Sequence, residues 1–217
     1  MATLKDVIES ARTFLNDDSA ITWSDATLIP KAREAHRELL CKLQASDIPI
    51  TKETSVAIVV AAGAVNLGVN QPTDMVIPIE LFERLSGSSE LYSSMTPLRT
   101  VPTSATQSTR LIYWMWAGGT IEFIGATSDR EVKIKYKKSI TAPTKMTESY
   151  DFVQAEMYIG PRTASLALLG KDKELANSIK SIADSAFADI IQMNIVGAQN
   201  LPSRRRGYRR RRKSRYS

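Results

Sequence analysis

The sequence predicts an α+β subunit: a helical bundle formed by the N- and C-terminal helices, a β-rich insert between them, and an extended basic C-terminal tail. Three observations predict it. Apolar residues keep helical spacing until about residue 50, alternate from Thr51, and return to helical spacing after Pro143. A Gly118-Gly119 turn sits between two β-like runs inside the insert. The last 15 residues hold eight Arg, one Lys and no acid. The chain divides accordingly into an N-terminal helical pair (1–50), the β-rich insert (51–142), C-terminal helices that pack on the first pair (143–200), and the tail (201–217).

The elements follow in order. Leu4, Val7, Ile8, Ala11, Phe14 and Leu15 recur at three- and four-residue steps, which puts them on one helix face. Turn formers at 16–19 end that helix. Ser24 is a good N-cap for the second, whose stripe is Leu28, Ala32, Ala35, Leu39 and Leu43. Pro30 either kinks this helix or marks its true start. Val56, Ile58 and Val60 read as a strand, and residues 73–77 as another. Residues 79–85, IELFERL, suit two helical turns. Residues 93–109 are rich in Ser, Thr and Pro and read as a long loop or arm.

The clearest β signal is the aromatic run 111–116, the two-glycine turn, and the return run 120–124. Val132, Ile134 and Tyr136 then alternate with Lys133, Lys135 and Lys137, so one face is buried and the other carries ammonium groups. Those lysines suit phosphate, but an edge strand guarded by charge is the reading favoured here. Residues 152–169 read as a helix that kinks or breaks at Gly160-Pro161. Gly170 suits a left-handed helix end. A long amphipathic helix carries Leu175, Ile179, Ile182, Ala183, Ala186, Ile190 and Met193, and stops near Gly197.

Composition narrows the function classes. The chain has 217 residues, 43% of them hydrophobic, which suffices for one sizeable core or two small ones. The single Cys41 forbids an internal disulfide, and its helical setting suggests an inert buried thiol. Lys5 and Asp6 interrupt the N-terminus before any apolar run, so no signal peptide is expected. The run 56–65 is too short to span a bilayer, and no membrane contact is expected.

Charge is confined to one end. Arg204, Arg205, Arg206, Arg209, Arg210, Arg211, Arg212, Lys213 and Arg215 are nine of the 29 basic residues. Without them, 20 basic groups face 23 acids, a net of −3 against +6 for the whole chain. Such a segment has no apolar periodicity to bury and is expected to order only on a polyanion or an acidic protein surface. The preference for Arg over Lys favours forked pairing with phosphate or carboxylate. Tyr208 and Tyr216 interleave the charges and could stack on bases or ribose.

No catalytic or metal constellation is evident. His36 is the sole histidine and reads as boundary packing beside the second helix's stripe; Cys41, five residues on, does not share its face. Residues 63–68, GAVNLG, have the first spacing of a phosphate loop without the Lys-Ser/Thr that should follow. Glu34 and Glu38, among Lys31, Arg33, Arg37 and Lys42, read as a solvated or interface face laced with ion pairs. Trp114 and Trp116 share one side of their strand, and read as hydrophobic core or subunit contact rather than a stacking platform.

Four stretches carry a family likeness when taken in order. They are the opening helix with WSDATL (23–28) and KAREAHRELL (31–40); IYWMWAGGTIEFIGATSDREVKIKYKK (112–138); the helix pair containing RTASLALLG and ADIIQMNIVGAQ; and LPSRRRGYRR (201–210). This order resembles the head-to-tail adaptor proteins of short-tailed bacteriophages, also called connector or head-completion proteins. Pro30 and Pro161 depart from the smooth helices of that pattern.

The resemblance implies a virion protein without enzymatic activity or cofactor, made in the host cytoplasm and placed at the head–tail junction. It implies a homo-oligomeric ring, dodecameric in such proteins, beneath the portal protein. The ring extends the channel for viral double-stranded DNA and presents a platform to a downstream nozzle or fibre protein. On that reading the tail's nine cations and Tyr208 bind portal or DNA, and Trp114 and Trp116 contribute to subunit contacts. The competing classes are a nucleic-acid-binding module and a capsid protein with an Arg-rich arm.

Overall fold

The computed structural model describes residues 2–100, 106–151 and 154–199. Its regular elements are α1 (Leu4–Leu15), α2 (Asp25–Ala45), β1 (Lys52–Thr54), β2 (Ile58–Val60), β3 (Met75–Leu85), β4 (Ser93–Ser94), β5 (Thr96–Pro97), β6 (Tyr113–Ala117), β7 (Thr120–Phe123), β8 (Arg130–Lys138), α3 (Ala155–Leu168) and α4 (Lys173–Gln199). The protein is α+β.

Helix α1 begins with a capping box. The Thr3 hydroxyl accepts the Asp6 N–H at 3.2 Å, and the Asp6 carboxylate accepts the Thr3 N–H at 2.8 Å. The α1–α2 turn is organised by Asp17, whose carboxylate accepts the N–H groups of Ile21, Thr22 and Trp23. Arg12 reaches from α1 to Asp25 at 2.6 Å and to Asp17 at 3.8 Å. Helix α2 starts at Asp25, not at Pro30, and runs through the proline. Ala26 and Pro30 face solvent, so the carbonyl that lacks an amide partner is open to water.

Helix α3 likewise continues through Gly160-Pro161. The glycine serves close helix packing: a Cβ there would lie 2.8 Å from the Ser10 Cβ of α1. Gly170 does not take the left-handed conformation expected of it, because α3 ends on right-handed backbone at Leu169. Residues of α1, α2, α3 and α4 share one apolar cluster that includes Leu4, Ile8, Leu28, Leu39, Tyr158 and Ile179. Segment 146–150 clamps the N-terminus through Leu4 N–H to Glu148 C=O at 3.0 Å and Tyr150 N–H to Ala2 C=O at 2.9 Å.

The β region has a second cluster, built from both of its sheets and containing Leu81, Trp114, Ile121, Phe123, Val132 and Ile134. One sheet runs β1-β8-β3-β4, with β2 also pairing with β8; the other runs β5-β6-β7. Two expectations need correction. Residues 79–85 are strand, not helix: Leu81 and Glu83 point inward at alternate positions and pair with Ile134 and Val132 of β8. Strand β8 is central, not an edge, since β3 flanks it on one side and β1 and β2 on the other. The loop expected at 93–109 contains the short strands β4 and β5, and the β5–β6 pairing is parallel.

The two regions meet at the end of α2. The Gln44 side chain donates to the Lys138 C=O at 3.0 Å, and Lys137 donates to the Gln44 C=O at 2.8 Å. Asp47 pairs with both Lys52 and Lys137.

Candidate docking surfaces

The basic positions 204–206, 209–213 and 215, and Tyr208, lie outside the described residues. What is described is the element that leads to them, α4. The other predicted site residues lie at the hairpin. Gly118 and Gly119 have φ of 55° and 83°, the left-handed conformations a two-residue hairpin turn requires. This turn sets the register Trp114↔Phe123 and Trp116↔Ile121. Both indoles thus stand on the core side, as the alternation predicted. Trp114 is only 5% exposed and belongs to its own subunit's β cluster, while Trp116 is half-buried against that cluster. What remains outward near them is the rest of Trp116 with Ile112 and Tyr113.

Beside the hairpin lies a feature that sequence reasoning missed. Residues 65–67 run along β7, with Phe123 N–H donating to Val65 C=O at 2.9 Å and Leu67 N–H to Ile121 C=O at 3.2 Å. GAVNLG is therefore an added ladder segment, with Gly63 and Gly68 at positive φ to turn into and out of it. Val69, just past it, is 98% exposed.

The lysine face of β8 is not a free cationic surface. Lys135 pairs with Glu80 at 3.0 Å and Lys137 with Asp47 at 3.6 Å, while Lys138, of the opposite parity at the strand end, pairs with Glu53 at 3.0 Å. Lys133 lies over the Tyr92 ring, 4.7 Å from its centroid. Next to it Glu131 accepts the Gly87 N–H and pairs with Arg84, which together hold its carboxyl below the ordinary range. On the inner face, Glu83 lies between Arg130, bound through Nε at 2.6 Å and through Nη2, and Arg110 at 2.9 Å. Once residues 79–85 are read as strand, alternation puts Glu83 on the same side as Leu81; nothing in the sequence names its partners.

In the helices, the charged face of α2 is partly an interface, as its pattern allowed. Arg162 of α3 binds Glu38 in a fork at 2.6 and 2.9 Å, a bond that lowers the Glu38 pKa. Lys42 binds Asp184 of α4 at 2.6 Å, while Lys31–Glu34 stays on the surface. His36 is buried more deeply than boundary packing implies. It is 3% exposed, its ring lies 5.6 Å from that of Tyr150, and burial lowers its pKa to about 4. Cys41, expected to be buried, is exposed. The helical stripe passes through Leu39 and Leu43 instead, and leaves position 41 on the outer face.

Among the described residues, no group of three or more His, Cys, Asp or Glu is placed to hold a metal ion, and no helix is long and apolar enough to cross a membrane. No protein-family model matches the chain, and no curated protein matches it.

Proposed function

We propose that this chain is a structural virion protein, a head-to-tail adaptor of a short-tailed bacteriophage. In this reading, copies form a dodecameric ring beneath the portal protein at the head–tail junction. The ring extends the channel for viral double-stranded DNA and receives a nozzle or fibre protein below. The role is mechanical and requires neither catalysis nor cofactor.

The observation that carries the reading is the segregation of charge. Nine cations follow α4 in a chain that is otherwise net −3, and the lysines of the β8 face are matched with acids or an aromatic ring. A body of this kind can line a DNA channel without gripping its cargo. The detached cations can reach a neighbour, since fifteen extended residues span at most roughly 50 Å. Twelve copies would add weak contacts into stable attachment. The α+β architecture and the Gly-Gly hairpin agree with the resemblance. Portal surfaces are the favoured target of the tail, because a channel wall should release DNA readily. If the nine groups met phosphates instead, log affinity would fall with log salt at a slope of about −8.

Negative-stain imaging of purified assemblies, alone and with the cognate portal ring, tests the proposal. Rings with a central hole, stacked on portal, are expected. Closed shells would assign the capsid class. Monomers that bind DNA but not portal would assign the nucleic-acid-binding class.

A further inference from the structure

An open groove of about 440 Å³ runs between α1, α3 and α4. Phe14, Met157, Pro161 and Ile182 give it an apolar lining, and Glu156 and Asp189 are its two acids. One Glu156 carboxylate oxygen is buried without a hydrogen-bond partner among the described residues. Leaving it so is costly unless a donor arrives. Asp189 is exposed, and no ion pair engages it among the described residues. The groove therefore calls for an occupant with an apolar part and forked cationic donors.

We infer that the occupant is the chain's own basic segment, folded back along α4 in the free subunit. Its residues supply both parts: Tyr208 for the apolar lining, and Arg206, Arg209 and Arg210 for the two carboxylates. The distances agree. Asp189 lies ten residues before the end of α4 and Ile182 seventeen, or about 15 and 25 Å at the helical rise. Pro202 opposes helix continuation and favours a turn. Tyr208, six residues further on, reaches roughly 20 Å back along α4 in extended chain. Allowing for residues 200–202 in the turn, that reach covers roughly 10–20 Å back from the end of α4, the level of Asp189. Tethering gives the segment a local concentration that a second copy matches only in concentrated solution. This docking is independent of the adaptor reading. Where that reading also holds, the tail would be held on its own subunit until a portal competes for it.

Limited trypsin digestion of the full chain in dilute, low-salt solution tests the inference, with cuts after residues 204–213 followed by intact mass. The wild-type tail should be cut at least about threefold more slowly than the tail of an E156Q/D189N variant, and high salt should erase the difference. The wild-type rate should not depend on protein concentration. Equal rates in the two proteins would overturn the proposal. Protection that grows with concentration would assign the groove to a second copy and overturn it equally. Should the double variant melt early, Asp189→Asn alone, at an exposed position, carries the same comparison. Attachment to portal is not part of this readout, so failure here and failure of the adaptor reading are distinguishable.

Discussion

The helical and β regions answer their charges differently. In the β region a carboxylate sits inside the fold between two guanidinium groups, and the outer lysines of β8 are matched across the strands or by Tyr92. In the helical region Asp17 is likewise buried beside Arg12, other ion pairs tie helix to helix at the margin of the core, and one groove keeps a carboxylate oxygen without a donor. The basic segment follows a helix of this second region. The difference teaches where outward function can sit. Both regions bury a paired carboxylate, and the difference lies in the groove, where the helical region leaves a carboxylate oxygen without a donor among the described residues.

The contrast can be broken most decisively at Glu83. Glu83→Gln removes the carboxylate and leaves Arg130 buried, which should cost about 3–5 kcal/mol in urea unfolding. Arg110→Ala, at a guanidinium that is 51% exposed, should cost about 1 kcal/mol or less. Equal costs would show that the buried arrangement is not what holds the strands.

The helical core has its own weak point in acid. The His36 pKa falls from 6.5 to about 4 on burial, with Asp151 opposing the shift. The unfolded chain therefore binds the proton first. This contribution is complete above about pH 6.5 and is lost as pH falls toward 4, up to about 3 kcal/mol. His36→Phe should flatten stability over that window. An unchanged slope would place the acid sensitivity elsewhere.

Gly160→Ala should cost about 1–3 kcal/mol by driving α1 from α3. Ser10→Gly in the same chain should recover most of that loss, because the clash is with the Ser10 side chain. Failure of the pair to compensate would mean that the helices are not fixed by this contact. The smallest effect belongs to Lys135→Ala at its surface pair with Glu80, within about 0.5 kcal/mol.

What the sequence disclosed follows from how local each signal is. The stripe of α1, the hairpin and the alternation of β8 are set by neighbours in the chain, and all were legible. The run IELFERL was not, because a short mix of apolar and charged residues fits either period. Its inward Glu83 is tolerated only because Arg110 and Arg130 arrive from far along the chain. Centrality of β8 was hidden for the same reason: its lysines look like edge protection until their acidic partners on β1, β3 and the end of α2 are seen. Gly160-Pro161 reads as a break in isolation and becomes a packing notch once α1 lies against it. The groove was not legible, since its three walls come from both ends of the chain.

The most direct test of the adaptor account is a chain truncated after Pro202. Its body should keep its own cores, so its melting temperature should stay within about 3 °C of the full chain's, the difference being the loss of the docked segment, while its attachment to cognate portal rings should fall sharply, with or without DNA. Undiminished attachment at equal stability would contradict the account and leave the basic segment as a solubilising surface.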